Sequence, residues 1–183
     1  MLEGSFYAKK LMGCENPRIG LLNNGAEVEK GGELQHQAYA LLDAAAKEGR
    51  INFIGNVEGT DVFSGKVDVV VTDGFTGNIL LKTTEGVIKY IMGALKGVFY
   101  KSTINKLAAA VLKSDLAQMK KSMDVNEVGG TALVGISKPV IKAHGSSNDR
   151  CIFAAIRQAV NFVDAGIIAD INENIEYMKL KTE

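Results

Sequence analysis

The sequence predicts an α/β protein built on a parallel sheet, and three observations carry that reading. Short β-branched or apolar runs alternate with segments of helical periodicity, the pattern of βαβ units. The run Val67-Asp68-Val69-Val70-Val71-Thr72 is apolar as for a strand covered on both faces, and passes directly into Asp73-Gly74-Phe75-Thr76-Gly77-Asn78. Three strands end in a small polar loop: Asn23-Asn24-Gly25, Gly55-Asn56 and Thr72-Asp73-Gly74. In a parallel sheet such ends share one edge, where ligands bind.

Taken in order, Ser5 to Gly13 has the apolar spacing of a helix. Ile19 to Leu22 is the first strand. Glu33 to Glu48 is a helix whose apolar face holds Leu34, Ala38, Leu41, Leu42 and Ala45. Ile51 to Ile54 is a strand ending at Gly55-Asn56, and Val67 to Thr72 is the next. A long helical region starts near Gly77 and runs, with interruptions, to about Met123. Strands are expected around Leu133 and at Val140-Ile141, then helices over Asn148 to Ala165 and Ile167 to Leu180. One α/β domain over 1–183, with a helical projection at 78–123, fits this order.

Composition narrows the function. The formal net charge is zero, so no general attraction to nucleic acid is implied. Cys14 and Cys151 form no CxxC motif and have no metal-ligand spacing, so a reduced, cytoplasmic setting is the default. No apolar run is long enough to span a membrane. No GxSxG elbow, no His/Cys/carboxylate cluster and no GxGxxG after the first strand is present. An enzyme of this sequence is expected to work without a covalent intermediate, a tight metal or another cofactor.

The candidate site residues lie at the strand ends. Asp73, Thr76 and Asn78 form a polar cluster, and Gly74 and Gly77 permit backbone conformations closed to other residues. The same stretch also reads as a turn capped by Thr76, with Asp73 hydrogen-bonding the backbone. Lys142-Ala143-His144-Gly145-Ser146-Ser147 precedes a helix that Ser146 or Ser147 can cap, leaving N–H groups for an anion. Lys30, between the Asn23-Asn24-Gly25 loop and a helix start, can hold a phosphate as a point charge. Lys82, in the first turns after the Asp73 loop, is a weaker candidate of the same kind. His36 lies off the apolar face of its helix and reads as solvated.

Residues 88–123 differ from the rest. Ile88, Ile91, Met92, Leu95, Val98 and Phe99 make one apolar stripe, and Ile104, Leu107, Ala108, Val111 and Leu112 a second. Seven lysines stand against one acid, Asp115, so the local charge is +6 in a neutral chain. Basic amphipathic helices suit an anionic membrane surface or a helical partner, and packing against a dimer mate is the other reading.

Four stretches in one order resemble the bacterial phosphate acyltransferases: Asn16 to Gly25 with Glu27 and Lys30-Gly31, Asn52 to Gly59, Asp73 to Asn78, and Pro139 to Ser147. The resemblance implies a Rossmann-like α/β/α fold, akin to isocitrate dehydrogenase-type enzymes, with a protruding helical hairpin. It implies transfer of a long acyl chain from acyl carrier protein to inorganic phosphate, giving acyl phosphate for phospholipid synthesis. It also implies a homodimer with peripheral membrane contact through 88–123. Lys30, Asp73 and His144 are then the expected catalytic residues. Asn23, Gly25, Asn56, Gly74, Gly77, Asn78, Lys82, Gly145, Ser146 and Ser147 are the expected substrate-binding residues. Two departures stand out. The chain reads as the C-terminal half of the family fold, and Gly32 stands where the family usually has Asn. The alternatives are a phosphotransacylase using acyl-CoA and a non-catalytic dimerisation or membrane-contact fragment. A metal-dependent decarboxylating dehydrogenase on the related fold lacks a visible carboxylate cluster.

Overall fold

A computed structural model describes residues 2–122, 130–143, 145 and 147–174. The elements, in chain order, are α1 (Leu2–Met12), β1 (Arg18–Leu22), α2 (Glu33–Lys47), β2 (Asn52–Val57), β3 (Val69–Val71), α3 (Gly74–Tyr100), α4 (Thr103–Val111), α5 (Lys113–Ser122), β4 (Thr131–Ala132), β5 (Ile141–Lys142), α6 (Asp149–Asp164) and α7 (Ile167–Glu173). The protein is mixed α/β, a parallel three-stranded sheet flanked by helices in the Rossmann-like α/β/α manner. The described residues fall into two compact units. One draws on 2–72, 131–142 and 155–174, the other on 73–122, 130 and 143–154.

In the first unit the strand order is β2-β1-β3, all parallel. Residues Ile19, Leu21, Leu42, Ala45 and Ile51 are buried together, with Tyr39, Phe53, Val69 and Val71 packed on them. The apolar face of α2 is narrower than its periodicity suggests. Leu42 and Ala45 are core, whereas Leu34 and Leu41 are exposed. The helix ends in a Schellman turn: Gly49 adopts φ +70°, its N–H donates to Ala46 O and the Arg50 N–H to Ala45 O.

β2 does not stop at Ile54. It continues to Val57, so Gly55 and Asn56 lie within the strand rather than in a terminal loop. The register to β1 shifts between Ile19 and Leu21, because one extra residue of β2 is accommodated there as a bulge. Gly55, at φ +93°, supplies the backbone conformation that the bulge needs. Beyond it Val57 fills the space over Gly20, where an added Cβ would lie 2.5 Å from Val57 Cγ1.

At the opposite end of the sheet Arg18 locks β1 to the approach to β3. Its backbone N–H and its Nε each donate to Asp68 Oδ2 at 2.8 Å, and Nη2 donates to Asp68 Oδ1 at 2.9 Å and to Gly65 O at 2.7 Å. These donors hold the Asp68 carboxyl down at about 2, below its ordinary 3.8.

A second cluster of the same unit buries Phe162, Ile167 and Ile171 against Tyr7, Leu11 and Ala132. Gln158 Nε2 donates to Tyr7 Oη at 3.0 Å, and Lys10 pairs with Asp170 at 2.8 Å. β4 and β5 pair antiparallel as a separate two-stranded sheet, with the Leu133 N–H donating to Val140 O. The strand expected at Val140-Ile141 thus pairs with β4 and does not join the parallel sheet, so the Lys142–Ser147 stretch does not follow an end of that sheet. The link between β4 and β5 is too short for the crossover a parallel pair requires.

In the second unit the helical region breaks twice, after Tyr100 and after Val111. Ser102 caps α4 by accepting the Asn105 N–H at 3.1 Å. No residue of α3 or α4 is buried. Ile88, Met92, Leu95 and Phe99 are half-buried, while Ile91, Val98, Ile104, Leu107 and Val111 are exposed. Of the expected closing helix, Ile167–Glu173 is present, and 175–180 lie outside the described residues.

Candidate functional site

The loop between β1 and α2 gathers four of the expected site residues in one unit. Asn23 starts it. Its N–H donates to Val57 O at 2.9 Å, prolonging the sheet pairing by one residue. Its side-chain Nδ2 donates to Lys30 O at 2.9 Å, and its Oδ1 accepts the Asn24 N–H at 2.9 Å. One asparagine thus ties the first and last parts of the loop together. Asn56 reaches in from β2: it is 7% exposed, and its Nδ2 donates to Glu27 O at 2.7 Å. Its Oδ1 is enclosed with no partner among the described residues. Gly25 is buried beneath the Lys30 side chain. A Cβ there would lie 2.7 Å from both Lys30 Cγ and Glu27 Oε2, so only glycine lets the lysine stem lie in this position. Lys30 itself is exposed, its ammonium on a loop whose backbone is held at several points.

Sequence reasoning missed His36 as a member of this loop. Its Nε2 lies 3.1 Å from Glu29 O and binds it as the N–H tautomer. The available signal was position. Side chains in the first turn of a helix lean back toward its N-terminus, and that direction leads to the loop. Gly32 is the N-cap of α2, and Gln35 Oε1 accepts its N–H at 3.1 Å. This is one half of a capping box, lacking the side-chain oxygen that an Asn at 32 would bring.

The second unit holds Asp73, Gly74, Gly77, Asn78 and Lys82. Asp73 is the N-cap of α3: Oδ1 accepts the N–H groups of Phe75 at 2.9 Å and Thr76 at 2.8 Å, and Oδ2 accepts the Thr76 hydroxyl at 2.6 Å. These bonds, the Thr76 hydroxyl first, hold the Asp73 carboxyl below its ordinary range and keep it anionic at neutral pH. The cap is Asp73 and not Thr76. Because the helix starts at Gly74, Gly74 and Gly77 are helical with negative φ, and the open conformations expected of them are not used. Asn78 is exposed in the first turns, and Lys82 is paired with Glu85 at 3.0 Å.

Of the last group, His144 and Ser146 lie outside the described residues. Gly145 has open space where a Cβ would stand. The cap of α6 is Asn148, whose Oδ1 accepts the Cys151 N–H at 3.0 Å, and not a serine. An asparagine caps as well as a serine and stands nearer the helix. Ser147 Oγ is enclosed with no partner among the described residues. Among the described residues no group of three or more His, Cys, Asp or Glu side chains could hold a metal ion.

The loop geometry and the Asp73 cap are features of a whole stretch of chain, and that stretch matches a family model. The model, described as "Fatty acid synthesis protein", covers residues 1–170. The chain belongs to this family. It is similar to the "Phosphate acyltransferase" of Bacillus cereus strain B4264, 51% identical over 178 residues, which are 97% of this chain and 53% of the relative. The protein of the same name from Lysinibacillus sphaericus strain C3-41 is 48% identical over 177 residues, 97% of this chain and 52% of the relative. That of Geobacillus sp. strain WCH70 is 50% identical over 175 residues, 96% of this chain and 52% of the relative. The chain thus spans about half the length of the curated relatives that it matches, corresponding to their C-terminal half.

Proposed function

We propose that this chain carries the phosphate-handling part of an acyltransferase that moves a long-chain acyl group from acyl carrier protein to inorganic phosphate. The carrying observation is the braced Asn23–Lys30 loop, in a chain about half identical to proteins named phosphate acyltransferase. Its backbone is held by Asn23, Asn56 and His36, so Lys30 presents its charge from a fixed base. Fixed charge suits a reaction whose nucleophile needs positioning more than activation, and positioning alone supplies up to about 7–11 kcal/mol in favourable cases.

The hydrogen phosphate dianion predominates or is abundant at neutral pH and needs no general base. One of its oxygens attacks the thioester carbonyl carbon. The C–S bond breaks, acyl phosphate forms and the carrier leaves as a thiolate that takes up a proton. In this reading Lys30 holds the phosphate, and Asn78 donates to the oxyanion formed during attack. Asp73, whose carboxylate accepts the N–H groups of Phe75 and Thr76 and the Thr76 hydroxyl, acts as a fixed anion rather than a base. His144 supplies the proton to the thiolate. The test is phosphate-dependent release of free carrier from long-chain acyl carrier protein, with mass spectrometry of the product. Acyl phosphate formed by the 183-residue chain supports the reading. No product, with or without the N-terminal half of a relative added, overturns it. Competition with the matching acyl-CoA separates the carrier-dependent reaction from a phosphotransacylase.

The same reading places the protein in the cytoplasm as a homodimer touching the membrane through 88–123. Support comes from α3 and α4, which bury no residue and leave Ile91, Val98, Ile104, Leu107 and Val111 exposed. Lys96 and Lys106 lie 5.8 and 5.9 Å from the centre of the Tyr100 ring, grouping positive charge beside an aromatic at the first helix break. Among the described residues no single helix is long and apolar enough to cross a membrane. The bent pair α6 and α7 qualifies by length and composition, but Phe162, Ile167 and Ile171 within it are core residues. Surface contact rather than spanning is the mode proposed. Flotation with vesicles rich in anionic lipid, and no flotation with neutral vesicles, is the expected result.

A further inference from the structure

The first unit has a polar cavity that shares no lining residue with the Asn23–Lys30 loop and is built at the other end of the strands. It is about 280 Å³ and sits where β1 and β2 begin. Ser5 and Lys9, one turn apart on α1, form one wall. Asn16 precedes β1, and Asn52 is the first residue of β2, paired in register with Arg18. Arg50 comes from the turn after α2. No carboxylate lines the cavity.

The donors are held in place. Arg50 follows Gly49 in the Schellman turn, and its backbone N–H donates to Ala45 O at 3.0 Å. Its guanidinium is paired with Glu48, and the side chain is only 11% exposed. Asn52 stands on β2, paired in register with Arg18, and Asn16 lies in the bend before β1, its carbonyl 3.5 Å from Asn52 Nδ2. Ser5 is 5% exposed. Lys9 has no carboxylate in ion-pair range among the described residues. A cavity this size accommodates a tetrahedral oxyanion. Its wall offers two cationic groups, a hydroxyl and two amides, and no acid repels an anion from within.

We infer that this cavity is a second anion site, taking a phosphate-class oxyanion, either free phosphate or the terminal phosphate of a monoester. The buried Ser5 and the largely enclosed Arg50 favour binding, because little of their side-chain freedom is lost on occupation. Lys9 is the member that completes the charge, since Arg50 is already balanced in part by Glu48. The site is separate from the Lys30 loop in residues and in strand end, so the two are independently removable.

The test is a two-dimensional NMR titration of the 183-residue chain with inorganic phosphate and, separately, with methyl phosphate. Saturating shifts are expected at Ser5, Asn16 and Asn52, and the ligand with the tighter curve identifies the source. The same curve is expected in Lys30→Ala, which removes only the proposed substrate lysine. Lys9→Met and Asn52→Leu are expected to weaken it, the former about tenfold, as for loss of one charge-assisted hydrogen bond. Shifts that fail to saturate with both ligands overturn the site. So do shifts confined to the Asn23–Lys30 loop, or curves unchanged in both Lys9→Met and Asn52→Leu.

Discussion

The Asn23–Lys30 loop and the α3–α4 helices are opposite solutions to exposure. The loop lies outside any regular element, yet Asn23, Asn56, His36 and Gly25 account for its shape bond by bond. The helices satisfy their own backbone but leave several apolar side chains exposed, among them Ile91, Val98, Ile104, Leu107 and Val111. The difference teaches where each region's stability comes from. The loop draws on polar ties to a buried sheet, and it is complete within its unit. The helices are regular without a core, and an apolar face of that size is what proteins present to another surface.

The comparison can be broken from the sheet side first. Gly20→Val would place atoms where Val57 already stands. A loss of about 3 kcal/mol or more is expected, as for overpacking of a tight core, and the urea midpoint should fall accordingly. Lys30→Ala, in a form that shows turnover, should lower the rate about a hundredfold while leaving that midpoint unchanged, as for a lost contact to a charged group. On the helix side, Lys96→Ala with Lys106→Ala should weaken binding to anionic vesicles by roughly 2 kcal/mol together. Thermal unfolding of the sheet unit should not move.

Smaller effects sharpen the contrast. Asp73→Ala removes a cap and should cost about 1 kcal/mol, whereas Asp73→Asn keeps the cap and removes the charge. Activity lost in Asp73→Asn at unchanged stability would assign the charge to chemistry. Asp68 gives a pH signature. Its folded pKa of about 2 lies below the ordinary 3.8, so its contribution is present above pH 4 and fades as pH falls toward 2. Asp68→Asn should flatten that part of the acid-unfolding curve. Gly32→Asn should raise stability by a few tenths of a kcal/mol, since the backbone there is extended and the nearest atom to an added Cβ is 3.5 Å away.

Much of the sheet unit was legible because apolar runs and element positions coincide there, even though α2 buries a narrower face than its period suggests. Ile19 to Leu22 and Glu33 to Lys47 stand where their patterns put them. The Gly55 bulge was not legible, because a single left-handed glycine looks like a strand end. The backbone bonding of Asp73 was legible, but the capping residues themselves were not, for one reason. Asp73 and Asn148 stand beside Thr76 and Ser147, all four are competent caps, and the choice depends on where the helical backbone begins. The antiparallel β4–β5 pair was misplaced because pattern identifies strands without stating their partners. At the site, the strand-end pattern marked the stretch that holds Asn23, Gly25 and Lys30, while Asn56 joins it from inside β2 rather than from a strand end. His36 was not, since its bond runs to a backbone carbonyl that no side-chain motif marks.

The extra residue in β2 makes the strand a phase shifter. Ahead of it, Phe53 faces α2, where its ring meets Tyr39 edge-on. Without the extra residue the alternation would bring Gly55 to that face next. With it, Asn56 takes the place opposite Leu21, and Val57 turns to the notch at Gly20. Loop bracing and sheet packing are therefore set by the same parity. Deleting Gly55 would leave Asn56 opposite Leu21 by plain alternation, so what the bulge itself supplies is read from whether the amide still reaches Glu27 and the valine still fills the notch at Gly20. A point substitution in the loop leaves the sheet alone, but a change in chain count at this position tests both.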